Sequence, residues 1–143
     1  MLVKDMMRTE LISIGSQANL AEAAQTMLRH GVDALLVIDE GRVMGIVGLR
    51  DLFTTPISAS HADRMVTWRS EQQLLEAWRS QTVYNLFNDE MLTVSEDLPL
   101  MQAAALMVNS GKHPLPVTRR GEITGMIERI DVVRALLAAD VSS

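Results

Sequence analysis

The sequence predicts a mixed α/β (α+β) fold in which two βαββα repeats pack by pseudo-two-fold symmetry. Three observations carry this. The 143-residue chain repeats itself without a gap at an offset of 80 positions, the distance from Val3 to Val83. Within each copy an apolar stripe at helical spacing is followed by two short aliphatic runs joined through a glycine. One copy of about 50 residues would barely bury a core alone, so the two are expected to pack face to face. Such packing leaves equivalent clefts, ordinary places for a small ligand.

The elements follow in order. Leu11–Ile14 is a short apolar strand. Leu20, Ala23, Ala24, Met27 and Leu28 then recur at helical spacing, and Gly31 stands where a left-handed cap would end the helix. Ala34–Ile38 and Val43–Val47 flank DEGR and read as a buried hairpin. A second helix is expected from DLF, starting near Asp51. The second copy repeats the plan. Met91–Val94 is the strand, and Asp97 and Pro99 suit the start of a helix striped by Leu100, Ala103, Ala104, Met107 and Val108. Gly111 ends it, Leu115–Thr118 and Ile123–Ile127 flank RRGE, and DVVRALLAA is the last helix. The small alanines let each helix sit close to what it covers.

This divides the chain into repeat 1 at 1–54, a linker at 55–82, repeat 2 at 83–139 and a tail at 140–143. In the middle stretch TTPISAS reads as a loop, and RSEQQLLEAWRSQ as a helix with Leu74, Leu75 and Trp78 on or near one face. With Trp68 before it, that helix either covers the core or joins two protomers.

Bulk properties narrow the function. Hydrophobic residues make up 48% and charged residues 22%, as in an ordinary globular protein. The net charge of −5 argues against a nucleic-acid partner. There are no cysteines, which excludes disulfides, thiolate metal sites and a cysteine nucleophile. No apolar run reaches the ~18–20 residues of a membrane span, and MLVKDMMRTE lacks a signal-peptide core, so no membrane and a cytoplasmic location are expected. His30, His61 and His113 have no metal-ligand spacing. With no nucleophile–base arrangement and no paired acid–base carboxylates, catalysis is not expected.

Two stretches carry the chemistry. GIVGLRD, residues 45–51, returns as GMIERID, residues 125–131. Asp51 and Asp131 each stand at a strand-to-helix junction, where aspartate serves either as an N-cap or as a ligand holder. A carboxylate can take two hydrogen bonds from a vicinal diol. Gly45 and Gly125 read as a phosphate cradle or, equally, as close packing of strand on helix.

These motifs resemble the CBS domain, a family whose members occur as tandem pairs called Bateman modules. GIVGLRDLF and GMIERIDVV match its glycine, two aliphatics, hydroxyl residue, two variable positions and aspartate. SGKHPLPVT, residues 110–118, looks like its strand with a penultimate proline. VKDMMRTELISI and VYNLFNDEMLTV look like its leading segment, with Met7 and Phe87 at a commonly apolar position. The resemblance implies a regulatory module, often a homodimer, that senses AMP, ADP, ATP or S-adenosylmethionine in an inter-repeat cleft and passes a conformational change to an effector protein. No cofactor is required. It implies that the motif's aspartate holds the ribose and that the hydroxyl three positions earlier helps hold phosphate. The chain departs from that pattern: Gly48 and Glu128 replace the hydroxyl, and Asp33 aligns with His113. The expected cleft is therefore Gly45, Ile46, Val47, Arg50 and Asp51, with His113, Pro114 and Asp131 as the secondary set. The lost hydroxyls favour the alternative, a ligand-free dimerisation or protein-docking module.

Overall fold

The structure is a computed structural model that describes residues 1–54 and 70–139. Most of the TTPISAS loop, His61, Trp68 and the tail at 140–143 lie outside the described residues. The elements run α1 (Val3–Met6), β1 (Ser13–Ile14), α2 (Leu20–His30), β2 (Ala34–Asp39), β3 (Arg42–Gly48), a 3-10 turn (Leu49–Phe53), α3 (Glu71–Ser80), a 3-10 turn (Val83–Asn85), β4 (Val94–Ser95), α4 (Leu100–Ser110), β5 (Leu115–Arg119), β6 (Glu122–Ile127) and α5 (Arg129–Ala138).

The mixed α+β class and the two repeats are present. Each repeat builds a three-stranded sheet, β1-β2-β3 and β4-β5-β6, with its first strand parallel to the second and the second antiparallel to the third. The hairpins turn on two residues with positive φ, Glu40 (51°) and Gly41 (76°), then Arg120 (53°) and Gly121 (80°). That conformation matches the strands' right-handed twist. The register slips after Val37 and again after Val117, so even the irregularity is duplicated. Gly31 (φ 63°) and Gly111 (φ 70°) cap α2 and α4 in the left-handed conformation that glycine adopts without a Cβ clash.

The chain forms two compact units that do not follow the sequence repeats. The first unit is Ile12–Glu90, and the second joins Met1–Leu11 to Met91–Ser143. The first core packs Leu20, Ala23, Met27, Leu35, Val37, Val47 and Leu52 around Val83. The second packs their counterparts Leu100, Ala103, Met107, Leu115, Val117, Ile127 and Val132 around Val3. The leading segments are thus exchanged: Val3 and Val83, both fully buried, each complete the core of the other repeat.

Backbone pairing fixes the exchange. Asn88 and Ile46 trade N–H···O bonds of 2.8 and 2.9 Å, and Arg8 and Met126 do the same at 2.8 and 2.9 Å. Gly45 and Gly125 permit this approach. A Cβ on Gly125 would lie 2.7 Å from the Arg8 carbonyl and from Met7 Sδ, and one on Gly45 would strike the Asn88 carbonyl and Phe87. The close packing foreseen at these glycines is against the exchanged segments, not against a helix.

Two expected helix starts differ. Asp97 does not cap α4. Pro99 takes the N-cap position, the Leu100 amide donates to the Met1 carbonyl, and the Asp97 carboxylate pairs with Lys4 at 3.2 Å. The helix expected from DLF is only the 3-10 turn Leu49–Phe53, whereas its counterpart α5 runs ten residues. The cause is in the sequence. Continuing an α-helix would require residue 56 to donate to the Leu52 carbonyl, and residue 56 is proline, without an N–H. The Trp78 indole N–H donates to that carbonyl instead, at 2.8 Å. Trp78 reaches it from α3, whose start is closed by a reciprocal Ser70–Gln73 capping box. Trp78 packs on the first core, so this side chain covers the core, one of the two roles expected for the inserted helix.

A polar pin ties the loop after each first strand to the hairpin, with different chemistry in each copy. In the first unit Ser16 donates its amide, at 2.9 Å, and its hydroxyl to Asp39. At the corresponding positions of the second, Arg119 Nε lies 4.0 Å from Glu96. The Ser16 hydroxyl, then its amide, hold the Asp39 carboxyl below its ordinary value of 3.8.

Three outcomes are expected. Gly125→Ala should lower stability by about 1–3 kcal/mol through overpacking, while Gly15→Ala, where a new Cβ would meet nothing closer than 3.7 Å, serves as the mild control in urea unfolding. Trp78→Phe keeps an aromatic ring but is smaller and leaves the Leu52 carbonyl without its donor, a loss of at least about 1 kcal/mol in the same measurement. Asp39 is a carboxyl with a depressed folded pKa. Its contribution is complete above the unfolded value and disappears as pH falls through the folded one. Asp39→Asn should therefore flatten the acid limb of the stability profile below about pH 4.

Candidate functional site

Each hairpin ends on the strand-to-helix turn that carries the motif aspartate. Neither aspartate is the N-cap. That position belongs to Gly48 and Glu128, and each aspartate sits three residues on, reaching back to the N-cap amide. Gly48 N–H donates to Asp51 Oδ2 at 2.7 Å, and Glu128 N–H donates to Asp131 Oδ2 at 2.9 Å. This is the returning half of a capping box. The bond engages one carboxylate oxygen and leaves the other, Oδ1, for further partners.

The fate of that second oxygen separates the copies. In the second unit Asp131 is only 2% exposed, and its Oδ1 lies 3.5 Å from both Arg8 Nε and Arg134 Nη1. Arg8 Nη2 also lies 3.4 Å from Glu128 Oε2. In the first unit Asp51 is half-buried, and among the described residues no cation meets its Oδ1. A Cβ on Gly48 would find nothing nearer than 3.6 Å among the described residues, so their packing does not demand the glycine where Glu128 stands in the counterpart. The Leu49 amide donates to the Asp33 carbonyl at 2.7 Å, which ties the turn to the start of β2.

The other expected site residues divide by accessibility. Val47 is fully buried in the first core, and Gly45 is covered by Phe87 and Asn88. Ile46 is half-buried with both backbone groups taken by Asn88, and Arg50 is exposed beside Asp51 in the chain. The turn therefore brings together Gly48, Arg50 and Asp51, while Gly45 and Val47 form the packed support behind it. In the second unit Pro114 is buried at the foot of β5. His113 and Arg129 lie at the rim of a groove of about 350 Å³ floored by Met107, Val108 and Val132.

Sequence reasoning did not single out Arg8. It lies 123 residues from Asp131, and nothing local distinguishes it from the exposed Lys4. The one signal is positional: Arg8 follows Met7, and Asn88 follows Phe87, at the point where both segments pair with a sheet. Among the described residues no three His, Asp or Glu side chains are placed to hold a metal.

Comparison with known proteins places this geometry. A family model for the CBS domain matches residues 3–57 and 83–138. A CBS domain-containing protein of Dictyostelium discoideum is 27% identical over 138 residues, covering 95% of this chain and 91% of that protein. CBSX2 of Arabidopsis thaliana is 26% identical with a TM-score of 0.74, over 95% of this chain and 94% of that one. A structure of CBSX2 in complex with AMP is 25% identical with a TM-score of 0.72, over 95% and 96% of the two chains. The two matched segments cover most of the chain, and the chain belongs to the CBS domain family as a tandem CBS domain protein.

Proposed function

We propose that the chain is a regulatory module that binds one adenosyl ligand at the turn formed by Gly48, Arg50 and Asp51. One observation carries this reading: Asp51 holds one carboxylate oxygen on the Gly48 amide and keeps the other clear of any cation among the described residues. A carboxylate fixed in that way can accept a ribose diol without first breaking an ion pair. The binding of AMP by CBSX2, similar over almost the whole chain, supports the choice of ligand class.

The turn's chemistry ranks the ligands. Gly48 supplies no hydroxyl for phosphate, and the carboxylate-bearing Asp33 adjoins the turn through its carbonyl. Extra phosphates add unfavourable charge that Arg50 alone must offset. AMP and S-adenosylmethionine should bind better than ADP, and ADP better than ATP. The output is a shift between two arrangements of the chain or its assembly, limited by the ligand's difference in affinity for them.

A second reading, an assembly module, rests on the last helix. Ile130, Val133 and Leu137 recur along α5 at helical spacing and are each at least 46% exposed. A face of this kind suits a second copy of the chain or an effector protein. The two readings are compatible, since a homodimer is one way to read out a ligand.

A thermal-shift titration tests the sensor. At ~100 times Kd a ligand adds about 2.7 kcal/mol to stability. AMP should raise the melting temperature of the parent chain, and Asp51→Ala should abolish the rise while costing about 1 kcal/mol without ligand. No response to AMP or S-adenosylmethionine at millimolar concentration would overturn it. Val133→Glu with Leu137→Glu should reduce the sedimentation coefficient if α5 joins protomers.

A further inference from the structure

We infer that Arg8 closes the second turn from within, so that the chain is a single-site module with one ligand turn and one structural clasp. The number of sites rests on the adenosyl reading above, but the clasp does not. The comparison is internal, because the offset of 80 pairs every participant.

Arg8 corresponds to Asn88, Glu128 to Gly48, and Arg134 to Thr54. The backbones match: Arg8 pairs with Met126 as Asn88 pairs with Ile46. The side chains do opposite things. Arg8 spans Glu128 at 3.4 Å and Asp131 at 3.5 Å, with Arg134 on the same Asp131 oxygen. Asn88 turns its side-chain oxygen to the Glu90 amide at 2.8 Å. Gly48 has no side chain, and the Thr54 hydroxyl donates to the Asp51 backbone carbonyl at 2.8 Å, not to its carboxylate. Three substitutions at three paired positions thus fill one turn with a charge network and leave the other without one among the described residues.

The network is held in place on both sides. Asp131 is almost fully buried and anchored by the Glu128 amide, and the Arg8 backbone is locked into the sheet at β6. A diol approaching Asp131 would have to displace an arginine that bridges two carboxylates and leave Glu128 and the buried Asp131 with less compensating charge, which is unfavourable. The same network fastens the segment that delivers Val3 to the second core.

The experiment uses the full chain and has two arms. Without ligand, Arg8→Gln, Glu128→Gln and the double variant are compared by thermal melting. The clasp predicts that the double variant melts well above the sum of the two single shifts, and strictly additive shifts would overturn it. With ligand, calorimetric titration with AMP should give one equivalent per chain, lost in Asp51→Ala and retained in Glu128→Gln. Two equivalents, or loss of binding in Glu128→Gln with Asp51→Ala still binding, would overturn the single-site assignment. A parent chain that binds neither AMP nor S-adenosylmethionine would sink the adenosyl reading, and the melting arm would then decide the clasp on its own.

Discussion

Everything in this fold depends on two short backbone contacts made over glycine. Gly125 admits the Met7–Arg8 segment to β6, and Gly45 admits Phe87–Asn88 to β3. Each contact brings in a valine that completes a core, Val3 in one unit and Val83 in the other. Because these segments come from the opposite sequence repeat, neither repeat holds all of its own core. The chain must fold as a pair, and the loss of either glycine's open face weakens a core through a valine far along the chain, Val83 for Gly45 and Val3 for Gly125. Long-range contacts of this kind are costly to close and rewarding only once formed.

The shared backbone tolerates many substitutions between the copies, and the polar contacts are where they differ in kind. The hairpin turns, the register slip, the glycine caps and the buried leucines and valines are duplicated position by position. The turn after the hairpin is not. In one copy the N-cap is a glycine and, among the described residues, no cation meets the second carboxylate oxygen. In the other, glutamate, aspartate and two arginines neutralise one another. A pin elsewhere shows the same freedom: Ser16–Asp39 became Glu96–Arg119, keeping the tie and changing the partners. Polar contacts at an edge can be exchanged pairwise, since each needs only a complementary neighbour, whereas core positions are bound by volume.

Much of this was legible in the sequence, and the reasons for the exceptions are physical. Helices, strands and hairpins are set by local periodicity and turn chemistry, so the 80-residue offset revealed them in both copies. The roles of Gly31 and Gly111 were equally local. Spacing alone puts Asp51 and Asp131 near a helix start but does not separate the N-cap from the third helical position, one turn on, from which each reaches back. Asp97 was misplaced for a related reason, because the amide at the helix start found the Met1 carbonyl, a partner no local window contains. The exchange of leading segments and the reach of Arg8 are likewise tertiary facts.

The truncated element of the first copy joins these strands of argument. Pro56 denies the Leu52 carbonyl its helical donor, and such an acceptor near a core needs a partner. The inserted helix brings Trp78, whose indole provides the N–H and whose ring covers the core beside it. The second copy keeps a regular α5, so its carbonyls are met within the helix, and it has no indole in this role. One consequence lies at the turn of Asp51 itself. The 3-10 turn that carries Asp51 is short, and its Leu52 carbonyl is tied to α3, whereas Asp131 sits in the first turn of a ten-residue helix. Among the described residues the turn of Asp51 is tied to α3 by the Trp78 bond to the neighbouring Leu52 carbonyl, while Asp131 is held by a ten-residue helix and a charge network. The turn proposed for the ligand therefore has fewer ties among the described residues, and a ligand can shift an equilibrium only where the chain has two arrangements to choose between.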